Sequence, residues 1–307
     1  MSDKTDNPGS SADKPDVSCI LVASGAPSTI ERTLASLEHA GGGRVELIFA
    51  DNSLNPEKSE AVDAMIDALG GRRVERRGAG RAELWNAAVE SADADMLLLL
   101  EAGHVLGEGS LTDLRDSLTA DPNLAGSYGR AAVIDGEANT RLHPEKGKTG
   151  SIFNRLVEKK HFLAGTSCVL LRRSAFLGLF NEVYTTPRAV FLEFMLQVSF
   201  VRPFVFLDRT VTTCPVMVED EQVLEELVKV FVTVLYGAMV LPERSEEKVR
   251  KRLSRQLVNL GKLHYRKENY DKAGRFISQA VKIAPTYFKG RRYQFLNFVQ
   301  ELLARGE

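Results

Sequence analysis

The side chains able to do chemistry fall on three short polar loops, each of which follows an apolar run: Ser24 to Pro27, Asp51 to Ser53, and Glu101 to His104. Between them the loops hold two carboxylates, an imidazole, and several hydroxyl and amide groups. Taken alone, Asp51-Asn52 suits a turn as well as a ligand contact. The remaining candidates lack company. Cys19, Cys168 and Cys214 have no zinc-ligand spacing, and Cys19 and Cys168 sit in apolar runs, as small core residues of a reducing compartment do. His143, His161 and His264 are scattered. Gly78-Ala79-Gly80 follows a polar strand and lacks the third glycine of a dinucleotide fingerprint. The basic stretch from Lys146 to Lys160 reads as a solvated face, with binding of a polyanion as its other use. Lys289, Arg291 and Arg292, interleaved with Tyr287, Phe288 and Tyr293, read as the outer face of a last helix.

The elements that must position these loops alternate. Val17 to Ala23 is a continuous apolar run, as expected of a strand buried on both faces. Ser28 and Glu31 form a capping-box pattern for a helix from Thr29 to Ala40. A strand from Val45 to Ala50, a helix from about Glu57 to Leu69, a polar strand from Arg73 to Arg77, a helix from Arg81 to Ser91 and a strand from Met96 to Leu100 follow. This order predicts an α/β fold: a mostly parallel sheet with helices on both faces. Ligands of such sheets bind beyond the carboxyl ends of the strands, where the three loops lie. Further on, the pattern predicts a helix over Ser110 to Thr119, a strand over Gly126 to Ile134, a buried strand from Phe162 to Arg173, helices at Ser174 to Leu179 and Arg188 to Phe200, and one or two strands over Pro203 to Thr213.

Composition bounds the function. The chain has 307 residues, 44% hydrophobic and 26% charged, with a net charge of −1. That balance gives no general attraction to nucleic acid or to an anionic membrane. Met1 to Asp16 is polar and reads as a disordered tail without a signal-peptide core. Val230 to Leu241 is too short to span a bilayer. These features point to a cytoplasmic protein with no transmembrane segment and no nucleic-acid partner.

After about residue 216 the sequence turns wholly helical, which divides the chain into residues 17–216 and 217–307. Glu219 to Met239 is amphipathic, and Ser245 starts a long charged helix. Leu257, Leu260, Gly261, Tyr265, Ala273, Ile277, Ala280 and Pro285 match the spacing of a tetratricopeptide repeat over residues 254–287, with Tyr287 to Leu303 as a covering third helix. One repeat cannot bury its own face, so it must pack on another helix, on the first domain or on another subunit.

Four segments, taken together and in order, resemble the family 2 glycosyltransferases of the GT-A fold: VSCILVAS, ELIFADNS, GRAELWNAAVESADADMLLLLEAGHVLGEGSL, and FLAGTSCVLLRRSAFLGLFNEVYTTPRAVFLEFMLQVSF. The likeness runs from Val17 to about Thr213. It implies that Ala23, Ser24, Asp51, Asn52, Gly80 and Asn86 hold a nucleotide-diphosphate sugar donor, with the Asp51 carboxylate accepting an N–H from the base. Where the family carries Asp-x-Asp, this chain has Glu101-Ala102-Gly103 followed by His104. The resemblance then assigns a Mn²⁺ or Mg²⁺ ion to Glu101 and His104, the imidazole favouring Mn²⁺. Trp85 stands where the family has Arg. Val190-Phe191 stands at the family's Glu-Asp pair, whose Asp is the usual base, and Gln197 at a helical Arg. Glu193 is the nearest acid and the candidate catalytic residue; an acid near a helix N-terminus is its other reading. A missing base costs about 10² to 10⁴-fold in rate.

The resemblance implies transfer of a sugar from the donor to a glycan, lipid or protein acceptor. The same departures support an alternative, a catalytically inactive binding or regulatory module that partners an active enzyme, or associates with itself, through its C-terminal helices.

Overall fold

The computed structural model describes residues 14–23, 25–52, 59–159, 162–176, 180–216 and 219–285. The first half is the alternating unit that the sequence predicts: β1 (Val17–Val22), α1 (Pro27–Ala40), β2 (Val45–Asp51), α2 (Glu60–Ala68), β3 (Arg72–Glu75), α3 (Arg81–Ser91) and β4 (Met96–Glu101). Strand β1 pairs in parallel with both β2 and β4, Val22 standing level with Ala50 on one side and with Glu101 on the other. Continuous apolar runs fill these central strands because helices cover both faces; all six residues of β1 are buried.

Two helix starts differ from expectation. Helix α1 begins at Pro27, two residues earlier, with Ala26 at the cap and no side-chain cap bond. Proline at the first helical position needs no N–H partner. Ser28 therefore falls inside the first turn, the capping box does not form, and the Thr29 hydroxyl donates instead to Ala26 O at 2.6 Å. Helix α2 starts at Glu60 rather than Glu57, capped by Ser59, whose Oγ accepts from Val62 N at 3.4 Å. Residues 53–58 lie outside the described residues, as do residues 1–13 of the expected tail. At the other end of that tail, Lys14 pairs with Asp95 at 2.8 Å and Asp16 accepts from Arg44 N at 2.9 Å.

The second half adds β5 (Val105–Leu106), α4 (Ser110–Thr119), β6 (Gly126–Ile134), β7 (Thr140–His143), α5 (Phe153–Glu158), β8 (Val169–Arg172), α6 (Pro187–Val201) and β9 (Phe204–Pro215). The sheet runs β3-β2-β1-β4-β8-β6-β9-β5, with β7 on β6. Strand β8 is antiparallel to both neighbours, while β9 lies parallel to β6. The long buried strand expected from Phe162 is a correction: only Val169–Arg172 is strand, preceded by a 3₁₀ turn at Thr166–Cys168. The turn forms because it docks on the end of β4, where the Ser167 hydroxyl accepts from Glu101 N at 3.1 Å and the Thr166 hydroxyl donates to the Glu101 carboxylate at 3.0 Å. The helix expected at Ser174 shortens to a 3₁₀ turn at Arg173–Ala175, with residues 177–179 outside the described residues.

Three helices close the described chain: α7 (Glu221–Tyr236), α8 (Glu243–Arg266) and α9 (Tyr270–Ile283). Helices α8 and α9 form an antiparallel hairpin, tied by the Ser254 hydroxyl donating to Ala280 O at 2.8 Å. The third helix expected at Tyr287 to Leu303 lies outside the described residues. Val249, Leu253 and Leu257 of α8 are buried in the same hydrophobic core as the central strands, and Lys248 pairs with Glu158 of α5 at 2.9 Å. The core therefore runs across residue 216. Among the described residues, no helix is long and apolar enough to cross a membrane.

One polar contact seats the helices. The buried Glu226 carboxylate of α7 accepts from Thr185 N and Oγ1 at 3.0 and 2.6 Å, and from Thr186 N and Oγ1 at 2.8 and 2.6 Å. Burial alone would raise this carboxyl, but the four donors hold it below the ordinary carboxylate range. Thr186 in turn caps α6. Removing the carboxylate strands buried backbone donors at about 1–3 kcal/mol each. Glu226→Ala is therefore expected to lower unfolding free energy by about 2–4 kcal/mol in urea titration; a change under about 0.5 kcal/mol, the range of an ordinary surface substitution, would contradict this role.

Candidate functional site

The carboxyl ends of β1, β2 and β4 bring Ala23, Asp51 and Glu101 to one edge of the sheet. Ala23 and Asp51 line one pocket, with Pro27, Ile30, Phe49 and Arg73. Ala23 N donates to Ala50 O at 2.8 Å, which extends the parallel pairing into the loop. Ser24 lies outside the described residues. The Asn52 carbonyl accepts from Gly78 N at 2.9 Å and the Asp51 carbonyl from Arg76 N at 3.0 Å. These bonds bring the turn that carries Gly80 beside the Asp51 loop. Gly80 caps α3 with an ordinary φ of −74°, and a Cβ there would meet nothing within 4 Å. Neither strain nor crowding within the chain requires that glycine.

Asn86 goes elsewhere. It is buried, and its side-chain amide is committed to the strand-to-helix segment across the core: Nδ2 donates to Phe180 O and to Glu182 Oε1, both at 3.0 Å, and Oδ1 accepts from Phe180 N at 2.6 Å. The structure thus uses it as a brace rather than bringing it to the edge pocket.

The Glu101 loop is a tight turn, closed by His104 N donating to Glu101 O at 3.0 Å. Gly103, at the place of the second acid of the Asp-x-Asp pattern, has φ +89°. That left-handed conformation favours glycine, and Gly103 N is held by the Thr33 hydroxyl at 2.9 Å. The turn and the missing carboxylate are one feature. His104 is buried, and its Nδ1 has no hydrogen-bond partner among the described residues. Burial pushes the imidazole below its ordinary value, against the pull of Glu101, so it stays neutral near pH 7. Gly165 allows this arrangement by close approach. A Cβ on it would lie 2.7 Å from His104 Cε1, 3.5 Å from Nδ1 and 3.8 Å from Glu101 Oε1. A carboxylate and an orphaned neutral imidazole nitrogen, both beside the Gly165 backbone, fit a divalent ion with nitrogen and oxygen preference.

A second grouping has metal-ligand chemistry. Glu221, Glu225 and His264 place ligand atoms within 4.8 Å of one another. Lys267 already holds Glu221 at 2.6 Å, and none of the three lines either pocket described here.

Glu101 also lines a second pocket, with Gly165, Arg188, Phe191, Met195 and Arg252. This pocket opens along α6. Phe191, at the position that the family resemblance gives to the base, faces it. Glu193 does not line it. The Glu193 side chain is buried and accepts from the Gln197 amide one turn on, and burial holds its carboxyl above the ordinary range. Sequence reading also missed Arg81, at the start of α3. Its guanidinium lies 5.8 Å from the Trp85 ring centroid, its Nη1 is buried without a hydrogen-bond partner among the described residues, and it feels the charge of Glu101. Arg81 lies one turn before Trp85 on the same helix face, so it brings an arginine to the area where Trp85 replaces one. That i, i+4 spacing was the available signal.

Residues 18–180, just over half of the chain, match the family model for glycosyl transferase family 2. The chain belongs to that family. A search of curated proteins finds no match. Among solved structures, residues 1–349 of TarS from S. aureus superpose with a TM-score of 0.61 at 13% identity, covering 95% of this chain and 92% of that one. The TarS complex with UDP-GlcNAc gives 0.64 at 14% over the same shares. The mannosyltransferase PcManGT from Pyrobaculum calidifontis, solved with GDP-Man and Mn²⁺, gives 0.54 at 12%, covering 95% and 86%. These likenesses show a GT-A fold with a helical C-terminal region.

The environment of Glu193 makes a pH-dependent prediction. Its carboxyl is raised in the folded state, so its contribution is favourable below the unfolded carboxylate value and is lost as pH rises through the folded one. Glu193→Gln is expected to raise the thermal midpoint at pH 8 and to lose that advantage towards pH 4. A variant less stable than wild type at pH 8 would contradict the burial argument.

Proposed function

We propose that this chain binds a nucleoside-diphosphate sugar across the edge defined by Asp51 and Glu101, and transfers the sugar to a glycan, lipid or protein acceptor held against α6. The observation that carries this reading is the placement of Asp51 and Glu101 at the carboxyl ends of strands flanking β1, in a chain of glycosyl transferase family 2. In it, Asp51 receives the base, Ala23 and Gly80 leave room for the nucleotide, and Arg81 faces the diphosphate. Glu101 and His104 Nδ1 would hold Mn²⁺ or Mg²⁺. Such an ion supplies positive charge to the departing nucleoside diphosphate. The TarS and PcManGT complexes carry UDP-GlcNAc and GDP-Man respectively, which makes uridine and guanosine donors the first to test. A cytoplasmic site of action belongs to the same reading.

A second reading is favoured by one observation. Among the described residues, Glu101 is the sole carboxylate lining the pocket along α6, and Phe191 rather than an acid faces it. Without a base there, transfer would be slower by about 10² to 10⁴-fold. The chain would then act as a donor-binding partner of an active enzyme, docked through residues 217–307 and the repeat-like hairpin of α8 and α9.

Calorimetric titration with UDP, GDP and their sugar conjugates, each with and without Mn²⁺, tests the common part of both readings. One nucleotide is expected to bind in a Mn²⁺-dependent way, and Glu101→Ala is expected to weaken that binding by about tenfold or more. No binding across the panel would overturn donor recognition. Release of nucleoside diphosphate in the presence of acceptor separates the enzyme from the binding module.

A further inference from the structure

Helix α8 carries a charge in an unusual place. Its buried stripe runs Val249, Leu253, Leu257 and Leu260, the spacing of an amphipathic helix. Arg252 lies within that stripe and is 6% exposed. Its guanidinium carbon sits 5.7 Å from the Phe231 ring centroid. Its Nε is buried with no hydrogen-bond partner, and no carboxylate forms a salt bridge with it among the described residues. Arg188, at the start of α6, is nearby and pairs with Glu219. Burial, and then the charge of Arg188, pull the Arg252 guanidinium down to about 10, with Glu219 opposing only in part.

Both arginines and Lys159 line the pocket along α6, with Glu101 and Gly165 also in its lining. The pocket at Asp51 shares no residue with it. Three cations therefore line a space apart from the pocket at Asp51 and next to the proposed metal site at Glu101. One carboxylate, Glu219, is taken by Arg188. A buried charge without a partner is costly. A guanidinium fork matches the oxygens of a phosphate group, with which it makes two parallel bonds.

We propose that Arg252, with Arg188 and Lys159, forms a subsite for a phosphate group carried by the acceptor. The claim deepens the transferase reading and rests on it for the word acceptor. It specifies the substrate class: a phosphate-bearing glycan or a lipid phosphate, rather than a neutral sugar. It also gives the C-terminal helices a direct part in substrate recognition, because α8 supplies the residue left without a counter-charge.

The test uses the full chain and inorganic phosphate as probe, at constant ionic strength set with chloride. Phosphate is expected to raise the thermal midpoint of the wild type and to give a calorimetric isotherm. Arg252→Met is expected to weaken phosphate binding at least tenfold while keeping the far-UV circular dichroism of the wild type; a buried charge replaced by an apolar chain commonly leaves the fold intact. Arg252→Lys keeps the charge and loses the fork, and is expected to bind phosphate several-fold more weakly than wild type, which covers a misfolded methionine variant. UDP affinity of the wild type is expected to stay within about twofold when phosphate is saturating, since the base pocket at Asp51 shares no residue with this one and donor and acceptor must be held together. Equal phosphate binding by wild type and both variants would overturn the subsite. Displacement of phosphate by UDP would overturn its assignment to the acceptor and give it to the donor diphosphate. Phosphate binding without any UDP binding would sink the donor reading and leave the anion subsite in place.

Discussion

The Glu226 carboxylate decides where the second half of this protein sits. It accepts four hydrogen bonds from two consecutive threonines at the head of α6, and it does so from α7, the first helix after the sheet. A carboxylate in that position satisfies backbone donors that a helix start otherwise leaves open and favours the positive end of the helix. Everything along α6 inherits its position from this contact, including Arg188, Phe191 and Met195 of the pocket that contains Glu101. Helix α8 inherits it too, since it packs beside α7 and reaches the same pocket with Arg252. The helical region is thus one wall of the site.

The other wall is set by the sheet. Parallel strands joined by helices must all end at one edge, so a single apolar strand, β1, aligns Ala23 with the ends of β2 and β4. Two loops with little in common then stand at one edge of the sheet. The Glu101 loop pays a chemical cost for its geometry: Gly103 supplies the left-handed turn and no second carboxylate. His104 Nδ1, buried and unpartnered, is what the turn offers in exchange. Gly165 completes the arrangement by having no Cβ to push the imidazole away.

Most of the α/β half was legible because its signals are local and periodic. Continuous apolar runs gave β1, β2 and β4, and the alternation of strand and helix gave the parallel sheet. The family resemblance rested on the same segments. The errors arose where a tertiary contact overrode the local pattern. Phe162 to Arg173 is apolar enough for one strand, yet the hydrogen bonds of Thr166 and Ser167 to Glu101 fold its first half into a turn. Ser28 and Glu31 have capping-box spacing, but Pro27 had already started the helix. Site residues were harder still. Asp51, Glu101 and His104 lie on loops that the strand order brings together. Asn86 and Glu193 could be matched by spacing, but their side-chain directions depend on partners about ninety residues away in one case and on helix phase in the other. Arg252 was hidden among the basic residues of α8, and only its place on the apolar stripe sets it apart.

The most direct test of a donor site built on Glu101 and His104 is a crystal structure with UDP and Mn²⁺, with the ion located by its anomalous scattering. The account predicts a manganese peak bonded to Glu101 and to His104 Nδ1, with the uracil against Asp51. A peak at Glu221, Glu225 and His264, or a nucleotide bound away from Asp51, would contradict it.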